Sequence, residues 1–102
     1  MSFSNLKSDT EERLAILLEE MGEAQQIIGK ILRHGLRSSH PHFGDVPNIE
    51  LLEKELGHVL AVIDLMVRGG ELRGAELKRH ADEKIVKLRE WTHHQIWSFL
   101  FP

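Results

Sequence analysis

Apolar residues recur every three or four positions along residues 51–67, which is the period of an amphipathic α-helix. The apolar arc of this predicted helix contains Leu52, Leu56, Val59, Ile63 and Met66. Glu55 projects inside that arc, and His58 lies near its edge. An ionised carboxylate that faces a protein core is costly unless it is paired or binds a metal. The pattern therefore predicts a helix in which Glu55 and His58 need a specific partner.

A longer helical pattern precedes this one and predicts a first helix over residues 9–34. Residues 8–11, Ser-Asp-Thr-Glu, match a capping box at its start. Gly35 is placed to end the helix as its C′ residue. The main apolar stripe of the first helix consists of Leu14, Leu17, Leu18, Met21, Ala24, Ile28 and Leu32.

Glu20 and Glu23 lie away from that main stripe, in a second strip of the first helix that mixes acidic and apolar residues. They are therefore not on a plainly solvated face. Gly22 and Gly29 weaken an isolated helix. We expect these two glycines to allow the close approach of another helix or of a ligand.

Glycine, proline and serine are concentrated in residues 37–47, which predicts a loop long enough to be functional. Asn48 is a good N-cap for the second helix. The Gly-Gly pair at residues 69–70 is expected to end it. A third helix is predicted to begin within residues 72–75 and to continue to Trp91.

These elements predict an all-α fold, a helical hairpin plus a third helix. We expect one domain over residues 1–102, with a loose N-terminal arm at 1–7 and an apolar tail at 98–102. Three helices of these lengths cannot cover two apolar faces on the first helix and a wide arc on the second. The bundle is therefore expected to be completed by homo-oligomerisation, as a homodimer or a homotetramer.

Composition limits the classes of function. The chain has 102 residues, 41% of them hydrophobic and 28% charged, which is ordinary for a soluble domain. A net charge of −3 gives no electrostatic case for a nucleic-acid partner. Cysteine is absent, which excludes thiolate zinc sites, and no apolar run is long enough for a membrane. The sequence thus predicts a cytoplasmic protein without nucleic-acid or membrane partners.

The acidic residues suggest a metal site. Glu20 and Glu23 are three residues apart, as are Glu55 and His58, so each pair shares one side of its helix. If the two helices pack antiparallel, the pairs meet in mid-bundle, where clustered carboxylates call for a cation. Oxygen ligands on rigid helices suit Mg²⁺ or Mn²⁺, ions that serve phosphate chemistry. The alternative is a structural ion pair for Glu55 and His58, within their helix or to a third-helix Lys or Arg.

The segments that carry these residues resemble a known family. EEMGE at residues 19–23, followed by a loop and ELGHVLAVIDLM at residues 55–66, resembles the EExxE…ExxD signature of the MazG-like all-α nucleoside triphosphate pyrophosphohydrolases. The resemblance covers residues 14–91 and is closest to the small, single-domain, phage-type members. It implies hydrolysis of an NTP or dNTP to the monophosphate and pyrophosphate with Mg²⁺, or Mn²⁺ in its place.

Carried over by position, the resemblance implies a set of ligands from both helices. Glu20 and Glu23 would bind the metal from the first helix and Glu55 from the second. Glu19 would be a ligand or an orienter of the attacking water. His58 stands where the family pattern has aspartate, and it is predicted to be the fourth metal ligand. Imidazole can bind a metal, but it carries no negative charge and prefers transition metals that are softer than Mg²⁺. A helical dimer that binds nucleotide or a partner protein without turnover is therefore the second hypothesis, and a purely structural helical module is the third.

The same resemblance implies that third-helix lysines reach the substrate phosphates, and Lys84 and Lys87 are the candidates. The asparagine often found late in the family's third helix has no match, because Leu88 follows Lys87. If the loop at residues 37–47 closes over a nucleotide, Arg33, with His34 and Arg37 beside it, is expected near the phosphates.

Two further features have a structural explanation. Asp64 lies about 120° around the helix from His58, on the polar side. It is therefore expected to face solvent or pair with Arg68 rather than to replace the aspartate of the signature. The aromatic residues of the C-terminal region are expected to fasten the tail to the core or to a partner subunit. These residues are Trp91, Trp97, Phe99 and Phe101.

Overall fold

The computed structural model describes residues 5–40 and 44–97. Over these residues the chain forms three α-helices, which are α1 (Ser8–His34), α2 (Asn48–Arg68) and α3 (Gly74–Trp91). The described residues form no strand beyond a single bridge between Ser39 and Pro47. The all-α prediction is confirmed, with helix limits within a residue or two of those expected.

The chain divides into two compact units, Met1–Glu71 and Leu72–Pro102. The first contains α1 and α2, and the second contains α3. Most of the predicted N-terminal arm and the whole apolar tail, with Phe99 and Phe101, lie outside the described residues. None of the helices among the described residues combines the length and the apolar character required to cross a membrane.

The predicted capping box at the start of α1 is wrong. The helix begins one residue earlier than expected, so Ser8 is its first residue and the extended Lys7 is its N-cap, without a side-chain cap bond. The carboxylate of Asp9 instead accepts a hydrogen bond from the backbone N–H of Thr10 at 2.9 Å. At the other end Gly35 has a φ of 94°, a conformation that favours glycine, and the helix stops there as predicted.

The predicted N-cap role of Asn48 is also wrong, because Pro47 occupies the N-cap position and Asn48 is the first helical residue of α2. Its buried side chain donates a hydrogen bond from Nδ2 to the carbonyl oxygen of Gly35 at 3.3 Å. The backbone N–H groups of Asn48 and Ile49 bond to the carbonyls of Ser38 and Leu36, at 2.8 and 3.0 Å. The two ends of the connecting loop are thus held together.

Contacts at both ends show that α1 and α2 form an antiparallel hairpin. Arg13, near the start of α1, donates a hydrogen bond from Nη2 to Oε2 of Glu71, just beyond α2, at 2.8 Å. Gly35, at the end of α1, contacts Asn48 at the start of α2. The buried apolar residues lie on the facing sides of these two helices and are Ala24, Ile27, Val62 and Met66.

The hairpin buries the mixed strip of α1 and leaves much of its main apolar stripe exposed. Ile27 is buried, whereas Leu18 and Leu32 are 76% and 83% exposed. A Cβ added to Gly22 would meet no described atom within 4 Å, so the expected close approach of a helix at this glycine does not occur among the described residues. The side of α1 that carries Glu20 and Glu23 is therefore the side that faces α2.

The second unit is held by local contacts. Ion pairs between residues three or four apart line α3, for example Lys78 with Asp82 at 2.7 Å. Beyond the helix, the indole N–H of Trp97 donates a hydrogen bond to the hydroxyl of Thr92 at 3.1 Å. The predicted pairing of Asp64 is confirmed in the first unit, where it accepts a hydrogen bond from Arg68 at 2.8 Å.

Candidate metal centre

Four side chains converge halfway along the hairpin. Glu20 and Glu23 come from α1 and Glu55 and His58 from α2, and each offers a ligand atom within 4.8 Å of the others. The spacing of three residues places each pair on one side of its helix, and the antiparallel packing brings the two sides together. The predicted convergence is confirmed. We call these four residues the acidic cluster.

His58 bridges the two helices inside the acidic cluster. Its Nδ1 lies 3.2 Å from Oε2 of Glu20 and 3.5 Å from Oε2 of Glu55. Because an ionised carboxylate only accepts hydrogen bonds, the contact with Glu20 requires the proton of the ring on Nδ1. The side chain of His58 is 46% exposed, whereas those of Glu20 and Glu55 are 20% and 13% exposed, so the imidazole is the more solvent-exposed partner.

The carboxylate of Glu55 is more enclosed than that of Glu20. Its side chain is 13% exposed, and its Oε2 is buried without a hydrogen-bond partner among the described residues. Nδ1 of His58, 3.5 Å away, makes no hydrogen bond with this oxygen, so the cost of its desolvation is offset only in part. This oxygen is therefore a position at which a bound cation would restore a lost interaction.

The pKa of Glu23 is raised by its neighbours in the acidic cluster. A side-chain hydrogen bond with Glu55 raises the pKa of Glu23 above its ordinary value of 4.5, and burial and the negative charge of Glu55 act in the same direction. The charge of His58 lowers the pKa of Glu23 and opposes this effect only in part. A hydrogen bond with Glu20 also lowers it, yet the net result is a raised pKa, so this part of the cluster favours an added positive charge.

The donor set fits a divalent cation. Three carboxylates and one imidazole, carried on two packed helices, supply oxygen and nitrogen ligands from fixed positions. Carboxylate oxygens suit Mg²⁺ and Mn²⁺, whereas the imidazole shifts the preference towards Mn²⁺ and other transition metals. The unpartnered oxygen of Glu55 is the observation of this structure that fits such an ion best.

The other residues predicted for the site lie outside the acidic cluster. Glu19 is exposed on α1 and is not one of the four converging residues. Arg33 lies ten residues beyond Glu23 on α1, about 15 Å along the axis. It lines a separate cavity at the loop end of the hairpin. Lys84 and Lys87 lie in the second unit and line a cavity of about 440 Å³ together with Trp91.

Sequence reasoning missed most of the cavity beside Arg33. Lys30 and two serines, Ser38 and Ser39, line it, although the sequence pattern assigned them no role. The signal was present in the spacing, since Lys30 and Arg33 are three residues apart in the last turns of a helix. What the sequence could not show is that the loop folds back and brings the serines beside them.

No known protein family, characterised protein or solved structure matches this chain. The class that the fold and the site define is thus an all-α protein whose helical hairpin carries a cluster of three glutamates and one histidine.

Proposed function

We propose that this protein is a divalent-metal-dependent nucleotide pyrophosphohydrolase, which cleaves an NTP or dNTP to the monophosphate and pyrophosphate. The observation that carries the proposal is the convergence of Glu20, Glu23, Glu55 and His58 around the unpartnered oxygen of Glu55. The resemblance of the same two segments to the MazG-like signature supplies the reaction. We also propose a cytoplasmic location, where nucleoside triphosphates are available.

In the proposed reaction the four residues of the acidic cluster would hold Mg²⁺ or Mn²⁺. Such an ion would neutralise the carboxylates, bind phosphate oxygens and make a water molecule more acidic. Glu20, or the exposed Glu19 beside it, orients the attacking water and accepts its proton. The water oxygen bonds to the α-phosphorus, the bond to the bridging oxygen breaks, and pyrophosphate leaves.

The cationic residues predicted for the substrate keep that role in this proposal. Arg33 contributes positive charge at one end of the hairpin, and Lys84 and Lys87 contribute it from α3. Guanidinium and ammonium groups both bind phosphate oxygens, the former in a bidentate manner. A net charge of −3 for the whole chain favours a small-molecule substrate over nucleic acid.

The proposal includes a homo-oligomer, a homodimer or a homotetramer. The main apolar stripe of α1 is exposed along its length, and a contiguous exposed apolar surface is typical of an interaction site. Its exposed residues are Leu14, Leu18, Met21, Ile28 and Leu32. A second copy that covers these side chains would complete the helical bundle.

An assay of product identity tests the proposed reaction. Purified protein is incubated with each NTP and dNTP, with Mg²⁺ or Mn²⁺ or with EDTA, and products are identified by ³¹P NMR. We expect monophosphate and pyrophosphate, only with metal. Loss of one catalytic carboxylate in Glu20→Gln is expected to lower the rate by at least about 100-fold.

Glu53→Gln serves as the matched control, because Glu53 is an exposed glutamate of α2 outside the cluster. It should retain the wild-type rate. Release of inorganic phosphate and a nucleoside diphosphate would refute cleavage at the α–β bond. Absence of turnover with every nucleotide and both metals would refute the enzyme hypothesis.

The second candidate is a helical protein that binds nucleotide or a partner protein without turnover. The contact between His58 Nδ1 and Glu20 Oε2 favours it, because the imidazole can act as an internal counter-ion where the family pattern has aspartate. This candidate predicts that nucleotide raises the melting temperature in the presence of metal, while no pyrophosphate is formed.

A further inference from the structure

The arrangement of donors in the acidic cluster bears on the choice of metal. Glu55 and His58 form a Glu-x-x-His pair on one side of α2. Glu20 and Glu23 bring carboxylates to the same cluster from α1. In helical bundles that bind pairs of iron or manganese ions, Glu-x-x-His pairs and glutamates from neighbouring helices project towards the same ions. The hairpin thus carries the donor types of a transition-metal site.

The imidazole of His58 lies at ligand separations from two carboxylates. Two ligand atoms that are each about 2.1 Å from an ion are about 3.0 Å apart at a right angle and about 3.4 Å apart in a tetrahedron. Nδ1 of His58 lies 3.2 Å from Oε2 of Glu20 and 3.5 Å from Oε2 of Glu55. Nδ1 is therefore placed to bind one ion together with both oxygens.

The remaining separations in the cluster agree with a single ion. The four ligand atoms all lie within 4.8 Å of one another. Opposite ligands of an octahedral ion at the same bond length are about 4.2 Å apart. Four ligands on one ion thus require only a small contraction of the cluster.

The unsatisfied oxygen of Glu55 points to the same position as the imidazole. Oε2 of Glu55 is buried without a hydrogen-bond partner among the described residues, and it is the oxygen that lies 3.5 Å from Nδ1 of His58. One ion bound to both atoms would satisfy this oxygen and would have nitrogen as well as oxygen in its coordination shell.

A surface ion pair between a histidine and glutamates has a different geometry in this chain. His80 on α3 has Glu76 and Glu83 beside it on its own helix, at 3.9 and 3.8 Å. His58 instead joins carboxylates of two helices, and the side chains of these carboxylates are mostly buried. A local pairing on one helix therefore does not account for the position of His58.

The nitrogen donor separates the ions that fit the cluster. Mg²⁺ takes oxygen ligands in an octahedron, and an imidazole offers it neither an oxygen nor a negative charge. Fe²⁺, Co²⁺, Ni²⁺ and Zn²⁺ accept imidazole readily, and sites of nitrogen and oxygen bind them more tightly than Mn²⁺. A histidine in this position thus favours first-row transition ions over Mg²⁺.

From these observations we infer that the acidic cluster binds a first-row transition-metal ion in preference to Mg²⁺, and that Nδ1 of His58 is the ligand that determines this preference. The preference rests on the metal site of the proposed function and not on its reaction, because it concerns which ion is bound. Fe²⁺ and the later ions of the series are the class expected.

Calorimetric titration of the full-length protein with Co²⁺ and Mg²⁺ tests the preference, with Co²⁺ as an air-stable representative of this class. We expect one Co²⁺ per chain, bound more tightly than Mg²⁺. His58→Asp should reduce the ratio of the two affinities by about tenfold or more, because it exchanges a nitrogen ligand for an anionic oxygen. His58→Gln should weaken Co²⁺ binding without strengthening that of Mg²⁺.

His80→Asp is the matched control. His80 also lies within 4 Å of two glutamates, but it is not one of the four converging residues. Both affinities should therefore stay at the wild-type values. Circular dichroism checks that each variant keeps its helices.

Pulsed electron paramagnetic resonance of the Mn²⁺ complex identifies the ligand directly. Electron spin echo envelope modulation detects a ¹⁴N nucleus bound to the metal, which we expect in the wild type and in His80→Asp but not in His58→Asp. Absence of this modulation in the wild type would overturn the inference. The same ratio of Co²⁺ to Mg²⁺ affinity in His58→Asp as in the wild type would also overturn it.

The proposed reaction is judged by different results. Nitrogen-bound metal in a protein that forms no pyrophosphate would support the inference and refute the hydrolase. Pyrophosphate release with Mg²⁺, together with an unchanged affinity ratio in His58→Asp, would refute the inference and support the hydrolase.

Discussion

Nδ1 of His58 on α2 lies 3.2 Å from Oε2 of Glu20 on α1, so an imidazole occupies a position between carboxylates of two helices. His58 is the only one of the four residues of the acidic cluster whose side chain can carry a positive charge. A metal ion that binds the same carboxylates competes with this contact. The identity of residue 58 therefore decides how much the cluster depends on a metal.

Replacing the histidine tests this dependence. His58→Asp adds a fourth carboxylate, so we expect a lower melting temperature in EDTA and tighter binding of Mg²⁺. At a free ion concentration about 100 times Kd, binding to the folded state alone stabilises it by about 2.7 kcal/mol. Calorimetric titration with Mg²⁺ and Mn²⁺ measures the change, and weaker Mg²⁺ binding in the variant would contradict the cluster as a metal site.

The raised pKa of Glu23 predicts an unusual pH dependence. Because its folded pKa lies above the ordinary 4.5, the folded protein holds a proton that the unfolded chain has lost. Stability from this group is complete below 4.5 and decreases as the pH rises through the raised pKa. In EDTA, Glu23→Gln should therefore raise the melting temperature at neutral pH and have less effect in acid.

The same variant should have the opposite effect when metal is present. Glu23→Gln removes one anionic ligand, so Mg²⁺ or Mn²⁺ should raise its melting temperature less than that of the wild type. Glu53→Gln, outside the cluster, should show neither effect. Thermal melts in EDTA and in the presence of metal measure the change in melting temperature relative to the wild type. The same change in both conditions would show that Glu23 is not a metal ligand.

Two glycines of the first unit should respond oppositely to alanine. A Cβ on Gly69 would lie 2.8 Å from Cζ of Arg13 and 2.9 Å from Oε2 of Glu71, so Gly69→Ala should disturb that ion pair and destabilise the fold. A Cβ on Gly57 would meet nothing within 4 Å. Gly57→Ala should stabilise the protein by about 0.5–1 kcal/mol.

Denaturant unfolding of both variants measures this difference. Arg13 holds the pKa of Glu71 below its ordinary 4.5 through a side-chain hydrogen bond. The stability contributed by this pair is therefore present above pH 4.5 and is lost as the pH falls through the lowered pKa. If the loss in Gly69→Ala were as large in strong acid as at neutral pH, the ion pair would not be its cause.

The exposed leucines of α1 predict self-association. Leu18→Asp or Leu32→Asp should lower the mass in solution to that of one chain without loss of helix, because each charge would lie in the proposed interface. Gln26→Asp, an exposed polar position of α1, should leave the mass unchanged. Light scattering and circular dichroism measure both properties, and a monomeric wild-type protein would contradict the oligomer.

The sequence predicted the three helices and the acidic cluster because both depend on local spacing. Gly35 and Gly70, with φ values of 94° and 88°, mark helix ends that only glycine adopts easily. Once the helices pair antiparallel, Glu20 and Glu55 must meet, since both lie near the middle of their helices. These features follow from local spacing and from the antiparallel pairing that a helical hairpin implies.

Features that depend on tertiary contacts could not be predicted in the same way. Asparagine is a residue type that favours the N-cap position, yet in the folded protein the side chain of Asn48 donates a hydrogen bond to the carbonyl of Gly35 instead. Leu32 lies on the apolar stripe of α1, which predicts a buried position, yet it is exposed because α2 packs against a different side of α1. The periodicity of apolar residues indicates that one face of a helix will be covered. It does not indicate which element covers that face.

The backbone bonds between the two ends of the loop, from Asn48 to Ser38 and from Ile49 to Leu36, have a consequence for binding kinetics. A ligand that enters beside these ends meets a surface whose conformational entropy was already lost when the hairpin folded. Its association needs no slow ordering step and can approach the rate set by diffusion and charge attraction. Mutations that loosen these bonds should therefore slow the association of a ligand at this end of the hairpin.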